Sequence, residues 1–239
     1  MLLNEEEFIQ KMKNNIYIFY NLPHEQQNYK ICLEAIKIDP CTIIHIAPQF
    51  ITPEIVSIAL KKNEVFRYLP QYIITDDFII NIIQINPDIF KNIPKNLQTY
   101  EICLNAIKLK EDSLAFVREN ILDYNLCLLS VVNNGMMIKY CSSYIDDTLC
   151  QLAVENNGNA LEFIPSKFRT TNIILMAIKS TPCALKYVND KEMNEDIINY
   201  TLEHYKSDYI SEYISQFIKI ITTKILHKII NNNKLLIEI

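Results

Sequence analysis

The segments Tyr29-Lys-Ile-Cys-Leu-Glu-Ala-Ile-Lys37 and Tyr100-Glu-Ile-Cys-Leu-Asn-Ala-Ile-Lys108 match at seven of nine positions and lie 71 residues apart. With the alanine of each taken as an anchor, the pattern recurs at Lys11, Ala35, Ala59, Ile82, Ala106, Ser130, Ala153, Ala177 and Thr201, each 23 or 24 residues from the last. Seven residues before the anchors stand Asn4, Asn28, Thr52, Thr75, Thr99, Asp123, Asp146, Thr170 and Asn194. Every one carries a short oxygen-bearing side chain that can accept a hydrogen bond from the free amides of a helix's first turn. Pro53, directly after Thr52, occupies a position where the missing amide costs nothing. The spacing predicts a fresh helix start in each repeat.

Within each predicted helix, apolar residues fall at anchor minus four, minus three and plus one, one stripe at helical spacing. The first column reads Ile31, Ile55, Phe78, Ile102, Leu126, Leu149, Ile173, Ile197, and the third Ile36, Leu60, Ile83, Ile107, Val131, Val154, Ile178, Leu202. The middle column holds Cys32, Val56, Ile79, Cys103, Cys127, Cys150, Ile174 and Ile198. Five residues after the anchor comes a second punctuation mark. Pro40, Pro87 and Pro182 follow Asp39, Asn86 and Thr181, a cap-then-proline pair that opens a helix. Gly135 and Gly158 hold the same column, each after Asn-Asn, where a left-handed residue can end the first helix. A second helix of seven or eight residues is expected to carry Ile43, Phe66, Ile89, Leu114, Ile138, Leu161 and Leu185 inward and to end near Pro23, Pro48, Pro70, Pro94 and Pro165.

A hairpin this small cannot bury its stripe alone, so neighbours must stack. The expected fold class is all-α: an α-solenoid of about nine two-helix repeats over residues 1–206, with 1–27 as an N-terminal capping unit because Glu7 and Lys11 stand in inward columns. The frame fails at Ile218, which cannot cap. Tyr209, Ile210, Tyr213, Ile214, Phe217, Ile218, Ile221, Ile225 and Ile229 instead predict one longer C-terminal capping helix within 207–239, in the same domain and stopped at Asn231-Asn-Asn233.

Repeats such as Leu149-Cys-Gln-Leu-Ala-Val-Glu-Asn-Asn-Gly-Asn-Ala-Leu-Glu-Phe-Ile-Pro165 resemble the helical repeats of a domain family of unknown function, common in giant viruses of amoebae, whose module would span two repeats. The likeness is closest over 124–190 and weaker where Gly gives way to Pro. It implies a helical repeat and no assigned activity, so no functional residue is carried over from it.

Composition excludes several classes of function. Two glycines in 239 residues leave no phosphate-cradling loop and few tight primed turns. A net charge of −5 argues against a general nucleic-acid binder, though not against a local basic patch. No apolar run is long and uncharged enough to span a membrane, and the acidic start Met1-Leu-Leu-Asn-Glu-Glu-Glu7 is unlike a signal peptide. Seven cysteines with no Cys-x-x-Cys fit a reducing compartment, so a cytoplasmic, non-secreted protein is expected, in host cytoplasm if it is viral.

Candidate chemistry is sparse. Cys32, Cys103, Cys127 and Cys150 share one inward column, and Cys41 and Cys183 another just after a turn proline. One thiol per repeat does not converge on a metal, so buried structural cysteines are expected. His24, His45, His204 and His227 are scattered, and no hydrolase, zinc-protease or phosphate-loop motif occurs. Paired acids such as Asp76-Asp77, Asp146-Asp147 and Glu195-Asp196 sit at helix starts, where they favour the helix dipole. No catalytic residue, metal or cofactor is expected.

One column could carry function. Two residues after the anchor stand Lys37, Lys61, Gln84, Lys108, Val132, Glu155, Lys179 and Glu203. Stacking would align them as a ridge, basic in its N-terminal half. Its ordinary reading is a solvated face; the functional one is a partner-binding ridge of Lys37, Lys61, Gln84, Lys108 and Lys179. The fourteen Tyr and ten Phe fall mostly in inward columns. A non-enzymatic protein-protein interaction scaffold is expected, with no membrane partner. A nucleic-acid-binding solenoid using the lysine ridge is the alternative.

Overall fold

The computed structural model describes residues 4–60, 65–204 and 222. Among them all regular structure is helical and none is strand. Ten α-helices run in chain order: α1 (Glu5–Asn14), α2 (Tyr17–Tyr20), α3 (Tyr29–Ile38), α4 (Pro53–Ala59), α5 (Asp76–Ile85), α6 (Tyr100–Leu109), α7 (Tyr124–Asn133), α8 (Asp147–Asn156), α9 (Thr171–Ser180) and α10 (Glu195–His204). The expected C-terminal capping helix lies, apart from Thr222, outside the described residues.

Apart from the single turn α2, these helices start where the capping column places them. In all nine the side-chain oxygen accepts from the amide three residues on: Asn4 from Glu7, Asn28 from Ile31, Thr52 from Ile55, Thr75 from Phe78, Thr99 from Ile102, Asp123 from Leu126, Asp146 from Leu149, Thr170 from Ile173 and Asn194 from Ile197. The Asn and Asp oxygens, one bond further from the backbone, lie 2.7–3.1 Å from their donors, and the threonine hydroxyls 3.2–3.4 Å. Several caps also reach the first turn of the preceding long helix. Asn28 donates to the Glu5 carboxylate (2.8 Å), Thr99 to Asp76 (2.7 Å) and Asn194 to the Thr171 hydroxyl (2.7 Å).

The stripe is the core. From α3 to α9 the anchors and the three apolar columns are buried, with Phe78 the half-buried exception. The polar anchors are satisfied locally: Ser130 donates to the Glu111 carbonyl at 2.8 Å and Thr201 to that of Ile197 at 2.7 Å. In α1, Glu7 and Lys11 are exposed and Met12 is buried.

The second element differs from expectation. It is a six-residue 3₁₀ turn, not a short α-helix, at Pro40–His45, Pro87–Asn92, Glu111–Phe116, Gly135–Tyr140, Gly158–Phe163 and Pro182–Tyr187. Its buried residues recur every three positions, as in Ile43 and Ile46, Phe90 and Ile93, Ile138 and Cys141, Leu161 and Ile164. Residues three apart eclipse on one face of a 3₁₀ turn, so that period selects it over the α-helix. Asp39, Asn86, Asn134 and Asn157 open these turns by accepting from the amide two residues on, at 3.0–3.2 Å. Pro23, Pro48, Pro94 and Pro165 begin a further three-residue turn in the link rather than close the second element.

The two glycines also need correction. Neither adopts the left-handed conformation expected of a helix-ending turn; each is the first residue of a 3₁₀ turn. The turn lies so close to the following long helix that a Cβ on Gly135 would stand 2.1 Å from the Ala153 carbonyl oxygen, and one on Gly158 2.0 Å from that of Ala177. Close backbone approach, not dihedral freedom, requires glycine here.

A polar clamp hides in an apolar column eight residues before the anchor, which elsewhere reads Ile51, Ile74, Leu122, Ile145 and Met193. Gln27 donates to the carbonyls of His45 (2.7 Å) and Leu22 (3.3 Å) and accepts from the Ala47 amide (2.7 Å). Gln98 repeats this on the Phe116 carbonyl (3.0 Å) and the Arg118 amide (2.9 Å). The Arg169 guanidinium donates to the carbonyls of Tyr187 and Leu161 and pairs with Glu192 at 2.9 Å. These three residues fasten the end of the 3₁₀ turn to the start of their own repeat, and they stand 71 residues apart.

The chain forms two compact units, residues 1–130 and 131–239, the boundary falling within α7.

Candidate functional site

The ridge column is exposed wherever the structure describes it. In the first unit Lys37, Gln84 and Lys108 all face solvent from the last turns of α3, α5 and α6; Lys61 lies outside the described residues. Lys37 is engaged by Glu34 on its own helix at 2.8 Å, and its ammonium holds the Glu34 carboxyl below the ordinary carboxylate range. In the second unit the same column reads Val132, Glu155, Lys179 and Glu203, all exposed, with the Lys179 ammonium 5.3 Å from the centre of the Tyr200 ring. The column is therefore of mixed sign there, and no continuous basic track results.

The next column was not singled out from the sequence. Three residues after the anchor, Ile38, Ile85 and Leu109 are 37%, 53% and 47% exposed. They stand beside Lys37, Gln84 and Lys108 at the ends of three long helices of the first unit. In the second unit the column holds Asn133, Asn156, Ser180 and His204, all exposed, and two of them bond the backbone of the preceding helix. Asn156 donates to the carbonyls of Val132 (3.0 Å) and Asn133 (3.3 Å), and Ser180 to that of Glu155 (3.1 Å). The signal that could have revealed the difference is this change from large apolar to polar residues at one fixed offset.

Gln84 and Ile85 also line a shallow open groove across the short helix α4, with Tyr29, Pro53, Glu54 and Asn81 on its other sides. The Tyr29 hydroxyl donates to the Glu54 carboxylate across it. The groove presents an apolar edge, amide groups and one engaged carboxylate, but no group poised as a nucleophile or general base.

The remaining candidates separate. Cys32, Cys103, Cys127 and Cys150 are buried as their column predicts, as is Cys141, whose thiol lies 3.4 Å from the Met137 carbonyl. Burial pushes the thiols of Cys32 and Cys150 up to about 12 and that of Cys103 to about 11. Cys41 and Cys183, expected inside, are exposed. They follow the first residue of a 3₁₀ turn, one position before the residues it buries, Thr42 and Ile43 in the first and Ala184 in the second. The His45 ring lies 4.6 Å from that of Tyr20, and His204 stacks on Tyr200 at 4.1 Å; His227 lies outside the described residues. Among the described residues no group of three or more His, Cys, Asp or Glu converges as metal ligands, and no helix is long and apolar enough to cross a membrane.

The model of a domain of unknown function (DUF4116) matches this chain twice, over residues 123–169 and 146–194. Both matches begin on a cap aspartate, Asp123 or Asp146, and each covers two repeats, so they are offset by a single repeat. No curated protein and no solved structure matches the chain.

Proposed function

We propose that this chain is a non-enzymatic scaffold whose repeats stack as an α-solenoid and hold a partner protein against the exposed ends of the long helices. The observation that carries the reading is the pairing of the two outward columns in the first unit. Ile38, Ile85 and Leu109 are exposed beside Lys37, Gln84 and Lys108. Large aliphatic side chains left in water at one register position of several helices mark a contact surface. The neighbouring lysines and glutamine supply the polar rim such surfaces carry. A segment with aliphatic anchors and acidic flanks fits it. The resemblance of its repeats to those of amoebal giant viruses supports a viral or host-cell partner. The ridge as a phosphate track is disfavoured, because Lys37 is held by Glu34 and the column turns acidic at Glu155 and Glu203.

The test is capture from the cells in which the protein occurs, with a photo-crosslinking residue at position 85 and, in parallel, the triple variant Ile38→Asp, Ile85→Asp, Leu109→Asp. These side chains are exposed, so the variant should melt within a few degrees of the parent. A protein crosslinked at 85 and lost from the variant supports the reading. Identical capture by both chains refutes it.

A further inference from the structure

We propose that the 3₁₀-turn face of the second unit is a binding strip for single-stranded nucleic acid. This rests on observations separate from the long-helix surface described above. The three turns Gly135–Tyr140, Gly158–Phe163 and Pro182–Tyr187 end in Lys139-Tyr140, Glu162-Phe163 and Lys186-Tyr187. The turns lie side by side. The Lys139 ammonium stands 4.9 Å from the centre of its own Tyr140 ring and 6.0 Å from that of Phe163 on the next turn. Lys186 covers Tyr187 at 4.7 Å, and in the link between the last two turns Lys167 covers Phe168 at 4.5 Å.

All three lysines are exposed, and Tyr140 keeps 39% of its surface in water. Neither Lys139 nor Lys167 forms an ion pair with a described residue. Arg169, which could have added charge, is instead committed inward. It bonds the Leu161 and Tyr187 carbonyls and pairs with Glu192, fixing the ends of the last two turns in place. Of the acids on this unit's long helices, Asp147, Glu195 and Asp196 sit with the cap Asp146 at helix starts, and Glu155 and Glu203 lie in the ridge column at the helix ends. The strip thus sets the exposed Tyr140 and the half-buried Phe163, Phe168 and Tyr187 in a row with ammonium groups beside them, within a chain of net charge −5.

That chemistry selects its ligand. Any base offers a flat face to a ring, while phosphates meet the ammonium groups, giving sequence-tolerant binding. A duplex hides its base faces, and an acidic peptide engages the lysines but has no use for the rings. Glu162, exposed between Lys139 and Lys186, is the one acid in the column.

The test is fluorescence anisotropy of the full chain with labelled oligo-dT and oligo-U about 12 nucleotides long, a duplex of the same length, and a poly-glutamate peptide. Two phosphate contacts on a single strand, at Lys139 and Lys167, give a slope of about −1.4 in log affinity against log salt, a loss of roughly 7-fold between about 50 and 200 mM. The variant K139E/K167E/K186E should lose that salt dependence and at least tenfold in affinity. Tyr140→Ala with Tyr187→Ala should weaken binding about fivefold or more while keeping the slope. Glu162→Lys should tighten it, a gain that misfolding cannot mimic. The proposal is overturned if no single strand binds at micromolar protein, if the triple lysine variant binds as the parent does, or if duplex or poly-glutamate binds as tightly as the single strand.

Discussion

Gly158→Ala tests whether close approach, rather than backbone freedom, is what the turn glycines supply. The added Cβ would stand 2.0 Å from the Ala177 carbonyl oxygen and 2.9 Å from both the Ala177 carbonyl carbon and the Thr181 Cβ. A carbon rests about 3.3 Å or more from such an oxygen, so the turn must retreat by more than about 1 Å. Retreat breaks the 3.0 Å bond from the Gly158 amide to the Thr181 hydroxyl, worth about 1 kcal/mol. It also unseats Ala160 and Leu161, both fully buried, an overpacking cost of about 1–3 kcal/mol. The sum, roughly 2–4 kcal/mol, lowers the melting temperature by roughly 4–16 °C at this chain length. Thermal melts followed by circular dichroism measure it. Gly158→Asn is the decisive companion. Asparagine tolerates a left-handed backbone, so it would be the mildest replacement if dihedral freedom were the reason. Close approach makes it at least as damaging as alanine. A Gly158→Ala chain melting with the parent, or an Asn variant more stable than the Ala one, would refute the reasoning.

Two further outcomes follow from buried groups. Gln98, 1% exposed, is what satisfies the Arg118 amide; Gln98→Leu orphans it and should cost about 1–3 kcal/mol in urea unfolding, and a stabilised variant would contradict the clamp. A thiol reagent near neutral pH should modify Cys41 and Cys183 quickly and the five buried cysteines only on unfolding; a third fast thiol would contradict the packing of the cysteine column. The same burial sets the alkaline limit. Folded Cys32, Cys103 and Cys150 keep protons up to about 11 or 12 that the unfolded thiols release near 9.0. The folded state therefore binds more protons across that window, and stability should fall as pH rises above about 9. Replacing the three by alanine should flatten the fall, and an unchanged profile would exclude them as its cause.

How much was legible depended on how far each interaction reaches along the chain. A cap bonds an amide three residues away, so its column could be read directly, and all nine caps are where Asn4 through Asn194 put them. The outward turn of Lys37, Gln84, Lys108 and Lys179 followed from helical period alone. The glycines were misread because the atom that excludes a side chain from Gly158 belongs to Ala177, in the next repeat. The 3₁₀ turns were misread because six residues are too few for periods of 3.0 and 3.6 to separate without attention to pairs such as Ile43 and Ile46. That period also explains why Cys41 and Cys183 emerge on the surface. Gln27, Gln98 and Arg169 give no local signal, since their partners lie at the far end of each repeat. Of the candidate surface, the lysines were legible, but the solvent-facing Ile85 and Leu109 were not, because an aliphatic residue at a helix end ordinarily reads as packing.

The clamp has a consequence for how the chain can change length. Gln27, Gln98 and Arg169 recur every 71 residues, three repeats at a time, while the intervening repeats place Ile51, Ile74, Leu122, Ile145 or Met193 in the same slot. Excising residues 28–98 joins Gln27 to Thr99 and seats one glutamine where another had been, facing the same Phe116 carbonyl and Arg118 amide. Excising residues 28–51 instead drops a buried amide into the slot shaped around Ile51. Loss of repeats should therefore disturb the fold least in blocks of three, and a chain lacking residues 28–98 should melt closer to the parent than one lacking 28–51.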